Sequence, residues 1–582
     1  MSTAPAGRNP RHSPPIVERV AGWSVRHRKI AVFGWLLLVA AAFAAGQHLG
    51  TDNLNSYDPG QAGVAERIIA RPVVQQPDSE AVLVQGRSAG QTYHNDPEIR
   101  QAVSQVASAL ARLPHSATGI ESPLTSAGLT SGRSALVTFN VVGTDPDQSV
   151  VPALNAVAAI AARHPGLTVA EAGGASEDRA FGSALDQDFH KAELISVPIS
   201  LIMLLLVFGA LIAAGIPLLL AGTAVIAAIS LLTIPSRWLP IDSTTSSVVL
   251  LVGMAVGIDY SLFYLRRVRE ERATGQSTTQ ALHTAAATSG RAIAVSGLTV
   301  MISLAGLFLT GIDVFSGVAI GTIIVVGVAI LGSLTFLPAL LSMLGTATDR
   351  GRIPFLGRRR AAARPSRVWG AVVRAVVRRP LALGGLAVVA LVALASPVLA
   401  LHLEDAGIHE FPASVPVVRT VLAIQQAFPG GPEPAQVVVT GDDLSGPAVA
   451  GAVAAIRADV VTTHDAIREP ITTLLYGAAG TDQVMIISVP LAGGGTDTTS
   501  NNALATLRMQ VLPATLGKVP GVSYAVGGLT AGNHDFDSQL ESRTPLVFCF
   551  VLGLAFLLLM IAFRADAPPC RSSLIRLRMN TW

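Results

Sequence analysis

Asp259 and Tyr260 stand side by side in "VGMAVGIDYSLFYLRRVREER" (252–272), a run otherwise apolar enough to lie in lipid. A helix over 244–265 would put Asp259 roughly 20 Å from one end and about 10 Å from the arginines at the other, at ~1.5 Å rise per residue. That depth is inside the hydrocarbon of a bilayer. An ionised carboxylate there costs at least about 2.5–3.5 kcal/mol, so the acid is protonated, paired or facing a wet cavity. Such a group can take up and release protons. The Tyr260 hydroxyl, about 100° around the helix, can bond a carboxyl on a neighbouring helix or extend a relay. The plainer alternative is that Asp259 is polar glue between helices. Gly253 and Gly257 have the GxxxG spacing that allows close helix approach. With Asp259 two residues on, they predict a tightly packed interior face. Ser296 and Thr299 on the next apolar run could line the same cavity, or bond their own helix backbone. Asp242, in "DSTTSS", sits at a helix start, where N-capping explains it.

Other chemistries find little support. Gly517-Lys518 lacks the upstream glycine of a phosphate loop, and no HExxH or metal-spaced His/Cys cluster occurs. The two cysteines, Cys549 and Cys570, cannot frame disulfides or a cysteine-rich metal site. The expectation is no enzyme, no cofactor and no bound metal, with any energy drawn from an ion gradient. Basic patches with interleaved aromatics are missing, so nucleic acid is not an expected partner.

The elements that must hold Asp259 are membrane spans. Of 582 residues, half are hydrophobic and 14% charged, and the mean hydropathy is +0.52. Several apolar runs reach the ~20 residues that cross a bilayer. The expected order is a basic N-terminus (1–29), a first span (30–47) rather than a cleaved signal, and five spans at about 194–209, 211–233, 244–265, 291–311 and 316–344. An arginine-rich loop (345–379), a seventh span (380–402) and an eighth (546–564) follow. The loops on the side of the N-terminus hold the arginines, which places them in the cytoplasm by the positive-inside rule.

Two blocks, 48–190 and 403–543, fall on the other side, in the periplasm or outside the cell. In the first, strands at 80–86, 118–122, 135–143 and 167–173 interleave with helices at 96–113 and 150–164, the βαββαβ order of a split ferredoxin-like α+β domain. The second shows strands at 435–441, 482–490 and 522–528, with helices near 445–460 and 500–512. Each block ends in "GG" (173–174, 527–528) before the next span. The chain thus reads as a tandem repeat whose second copy lacks counterparts of 211–344. Residues 565–582 form a polar tail unlike any span.

"GIDYSLFYLRRVREE" (257–271) resembles the fourth-helix motif of the mycobacterial membrane protein large (MmpL) family, within the resistance–nodulation–division superfamily. "SGRAIAVSGLTVMISLAGL" (289–307) resembles its fifth helix. "LDQDF" (185–189) and "HDFDSQL" (534–540) resemble the stretches leading into its second and eighth. The likeness runs from about residue 15 to about 565. It implies an α-helical polytopic protein with two external porter-like domains, exporting lipids or other hydrophobic molecules across the inner membrane on the proton gradient. The family's relay pair falls on Asp259 and Tyr260 and its pore-facing aromatic on Phe263. Complete members have twelve spans and a second Asp-Tyr pair on the tenth. A chain ending after the eighth is then expected to be inactive alone, to be one half of a split transporter completed by a second polypeptide or a homo-oligomer, or to be a lipid-binding membrane scaffold.

Overall fold

Apolar runs become long helices and alternating runs become antiparallel sheets in the computed structural model. It describes residues 16–565 apart from 51–58, 72, 75–77, 89, 144–145, 240, 243, 350–366, 398–414, 429–433, 463–465, 469–470, 479–482, 494 and 496. The first fifteen residues, most of the arginine-rich loop and the tail after 565 therefore lie outside the described residues. Two units emerge: residues 1–54, 200–362 and 540–582, and residues 55–199 and 363–539.

The first unit is helical. It opens with α1 (Ile16–Arg26) and α2 (Arg28–Leu49). The second unit begins with α3 (Gly60–Ile69) and a sheet of β1 (Ser79–Gly86), β2 (Ala117–Glu121), β3 (Thr130–Ser131), β4 (Ser134–Val141) and β5 (Leu167–Gly173). Between the strands lie α4 (Pro97–Leu110), α5 (Pro146–Ser149) and α6 (Val151–Ala161). Asp96 starts α4 as the N-cap, accepting the Glu98 amide at 2.8 Å. The strand order β2-β4-β1-β5, antiparallel throughout, is the split βαββαβ arrangement expected from the sequence.

From β5 the chain passes into α7 (Gly174–Phe208), then α8 (Leu211–Leu232), α9 (Thr244–Ala273) and α10 (Thr278–Ala285). A π-turn at Ala286–Gly290 joins α10 to α11 (Arg291–Leu304), and a 3₁₀ stretch (Ala305–Thr310) ends that span. Then come α12 (Asp313–Leu334) and α13 (Phe336–Leu344). The core of this unit is small-residue packing of α8 against α9 and α12, with Ala214, Ala221, Ala224 and Ala228 buried. In lipid, dispersion and close approach hold such helices together rather than water exclusion. Trp35 of α2 packs its ring, tilted by 30°, against Phe336 with centroids 5.8 Å apart and donates Nε1–H to Thr223 Oγ1 at 3.2 Å, so its one polar atom is satisfied.

After α14 (Arg367–Arg378), α15 (Pro380–Ala395) and α16 (Pro416–Ala427), the second sheet is built from β6 (Ala435–Gly441), β7 (Thr472–Tyr476), β8 (Gln483–Val489) and β9 (Ser523–Gly527). Its order, β7-β8-β6-β9, repeats the first. Helices α17 (Pro447–Thr462) and α18 (Thr498–Thr506) connect the strands, and α19 (Leu529–Ala565) closes the chain. Gly528 between β9 and α19 has φ +92°, which favours glycine at the turn. The strand β7 was not anticipated. Most of its residues are exposed, so it lacks the apolar alternation that marks the others.

The two α+β domains exchange helices. α3, which precedes the first sheet, lays Ala65 on Val438, Val484 and Ile486 of the second. α16, which precedes the second sheet, lays Val417 and Val418 on Ala172 of the first. Both sheets are covered on two faces, which explains why Val82, Leu83 and Val84, and likewise Val437, Val438 and Val439, are all fully buried. Asp535 in α19 pins the exchange. Its Oδ2 accepts the Ala62 amide in the first turn of α3 and an Arg508 Nη2–H donor, both at 2.9 Å.

Among the described residues, six helices are long and apolar enough to span a membrane, or seven if the bent pair α14–α15 is one span. Two of the eight expected spans are shorter among the described residues. The run at 194–209 is only a short apolar end (Leu194–Phe208) of the longer α7, whose first half is polar. The seventh expected span starts at Pro380 and is described as α15 to Ala395, with α14 meeting it at a bend of 105°; its residues from 398 on lie outside the described residues. The fifth span is longer than expected, running Thr278–Thr310 through the π-turn.

Candidate functional site

α9 places the sequence-predicted residues on two opposite faces. Gly253 and Gly257 are buried: a methyl on Gly253 would collide with Val325 and Val225, and one on Gly257 would come within 2.9 Å of the Ala221 backbone. The glycine spacing is therefore spent inside this chain, on α8 and α12. Asp259 is not on that face. It follows Leu251 and Ala255 and precedes Phe263 at intervals of four, and all four are exposed, Phe263 by 62%. The expectation of a packed interior face shared by the glycines and Asp259 is corrected by helix geometry, because two residues separate opposite sides of the helix.

Tyr260 points between these faces and is 7% exposed. Its hydroxyl faces α11 at Gly297, the neighbour of Ser296. Gly297 allows that approach, since a Cβ there would lie 3.1 Å from the tyrosine oxygen. Thr299 instead returns its hydroxyl to the Val295 carbonyl at 2.9 Å, the backbone role considered for it. Ser261 does likewise, donating to Gly257 O at 2.7 Å. The structure thus brings Asp259, Tyr260 and Ser296 into one neighbourhood, with Phe263 one turn along, and sets Gly253 and Gly257 behind them as packing.

Sequence reasoning missed Tyr264 and the work of the arginines. Tyr264 is fully buried and donates to the Leu282 carbonyl at 3.1 Å, locking α9 to α10. Arg269 donates to Phe208 O at 2.9 Å and lies 5.4 Å over its ring. Arg272 reaches Gly345 O and Arg28 reaches Ser342 O, at 3.4 and 3.3 Å. Each meets a carbonyl near a helix C-terminus, where cations are favoured. The collar therefore anchors α9 as well as carrying the charge asymmetry. Its signal was available: four arginines within "RRVREER" exceed what topology needs.

Apolar helices long enough to span a bilayer, joined in one chain to a repeated pair of α+β domains, define a polytopic membrane protein. The MMPL family profile matches residues 61–383, more than half of the chain, and the chain belongs to that family. It is 34% identical over 396 residues to the mycolic acid-containing lipids exporter MmpL11 of Mycolicibacterium smegmatis, covering 66% of this chain and 41% of that protein. It is 33% identical over 382 residues to the heme uptake protein MmpL11 of Mycobacterium tuberculosis, covering 65% and 39%. It is 26% identical over 463 residues to the trehalose monomycolate exporter MmpL3 of Mycobacterium tuberculosis, covering 74% and 48%. The chain thus spans about two fifths to one half of the length of these relatives.

Proposed function

We propose that this protein exports lipids or other hydrophobic molecules across the cell membrane, driven by the proton gradient, with Asp259 binding and releasing the proton. The observation that carries this is the exposed carboxylate at mid-helix in α9, backed by a buried Tyr260 whose hydroxyl faces Gly297, beside Ser296, on α11. A charge in that position is costly, so such residues serve ion pathways far more often than packing. Tyr260 and Ser296 form the next step of the relay. Phe263 lines the pathway, and Gly253 and Gly257 fix α9 against its neighbours. Two of the relatives carry lipid-exporter names, which supports the substrate class. The N-terminus and the arginine collar face the cytoplasm, and both α+β domains face outward.

The test is substrate export and proton uptake in inverted vesicles. Asp259→Asn is expected to abolish both while leaving the amount of protein in the membrane unchanged. Normal coupled export by that variant would end the relay assignment.

A second reading rests on the same exposed face. Leu251, Ala255, Asp259 and Phe263 would then meet helices of a second polypeptide or another copy, and this chain alone would be a scaffold or half-transporter. Co-purification of a tagged chain with a polypeptide carrying the remaining family helices, and export only when both are present, would distinguish it.

A further inference from the structure

We propose that Glu171 and Glu80 form a proton-binding site distinct from Asp259, in the first α+β domain, which holds one proton between two buried carboxyls and seats the first turn of α7 on the sheet. In the β1–β5 ladder Glu80 stands opposite Gly173 and Glu171 opposite Val82, so the two acids are diagonal neighbours on one face. It is the face whose Val82, Val84 and Val169 pack under α4 and α6. Both acids are buried. Glu80 Oε1 accepts the Ser176 amide at 2.9 Å and Oε2 accepts the Ser176 hydroxyl at 2.6 Å. A carboxylate thus closes an amide that the first turn of α7 cannot bond internally. Among the described residues, neither oxygen of Glu171 finds a hydrogen-bond partner.

The same geometry says which acid keeps the proton. Glu80 is served in either state, because Ser176 Oγ can turn its hydrogen to Gly173 O, 3.2 Å away, and accept one from Glu80. Glu171 has no donor to stabilise its charge, and burial, then the charge of Glu80, pushes it up to about 9. Among the described residues, no cation pairs with either acid. Asp78 repels Glu80, Asp147 of α5 acts on Asp78 in the same sense, and Glu177 of α7 is a further acid. Arg179 of α7 donates Nη1–H to the Asp147 carbonyl at 3.0 Å. On α4, Glu98 lies 3.4 Å from His164, and Arg100 bonds the carbonyls of Tyr93 and His94. β4 and α6 carry no ionisable residue, and Arg419 of α16, on the opposite face, is exposed. A cleft of about 170 Å³, lined by Glu80, Gly173 and Glu177 with Ile424 and Gln425 of α16, lets the proton leave to water. Ionising Glu171 sets a second charge beside the one that closes α7. Glu80 must then move or take up a proton, and either weakens its bond to Ser176.

The experiment uses the full chain in dodecyl maltoside, which has no carbonyl group to hide the infrared C=O stretch of a protonated carboxyl. Between about pH 6 and pH 10 such a band is expected to titrate in the unsubstituted protein, to be missing in Glu171→Gln and to persist in Asp259→Asn. Over the same range, hydrogen exchange of the peptide at 174–182, corrected for intrinsic chemistry, should quicken several-fold. Glu171→Gln should hold it flat. Glu80→Gln keeps an acceptor for the Ser176 amide but removes the charge, so it should move the band's titration to lower pH. That shift decides the matter if Glu171→Gln does not fold. A band unchanged in Glu171→Gln, or lost in Asp259→Asn, would overturn the site, as would a titration that Glu80→Gln leaves in place. Exchange that still quickens with pH in Glu171→Gln would overturn the link to α7.

Discussion

Two sides of α9 separate packing from chemistry, and substitutions there are expected to separate in the same way. Gly257→Leu forces a side chain into the Ala221 backbone and is expected to cost about 1–3 kcal/mol, read as a lower thermal midpoint in detergent. Asp259→Asn, on the exposed face, should leave that midpoint unchanged while stopping export. A different acid tests pH. Glu171 on β5 is 6% exposed, neither carboxylate oxygen has a hydrogen-bond partner, and burial, then the charge of Glu80, push its pKa up to about 9. Glu80 is also raised, chiefly by burial, although it accepts Ser176 N–H at 2.9 Å. An acid raised in the folded state keeps a proton that the unfolded chain releases near 4.5. The penalty is absent below that pH and grows as pH climbs toward 9, by up to about 1.4 kcal/mol per unit for one proton. Thermal midpoints of the second unit between pH 5 and 8 should therefore fall, and Glu171→Gln should flatten the slope.

At the scale of elements, the exchanged helix α3 depends on one buried pair. Arg508 and Asp535 are each only 12% exposed, and Asp535 also holds the first turn of α3. Asp535→Ala strands the guanidinium and is expected to cost about 3–5 kcal/mol. Hydrogen exchange should rise first in α3 amides. Much of the element plan was legible, because periodicity marks it directly: strands β1, β4, β5, β6, β8 and β9 and the helices between them follow from alternation and 3.6-residue spacing. What failed had physical reasons. β7 is an edge strand with little burial. α3 and α16 cover a sheet distant in sequence, and no local pattern says which one. Asp259, Tyr260 and Ser296 could be read as neighbours, but their separation from Gly253 and Gly257 required counting around the helix.

For the whole molecule, the proposed orientation makes a direct prediction. In intact cells, a single cysteine at Thr92 should react with an impermeant maleimide and one at Thr274 should not; the opposite pattern would invert the topology. The exchange of α3 and α16 carries a further consequence, for genetics. Each domain's instructions are interleaved along the chain, with one essential helix filed ahead of the other domain. A gene fragment encoding either block alone would leave one sheet bare and one helix without its seat. Recombination between relatives can therefore succeed only by moving both blocks together, which makes the pair, and not the domain, the unit that can be inherited or transplanted.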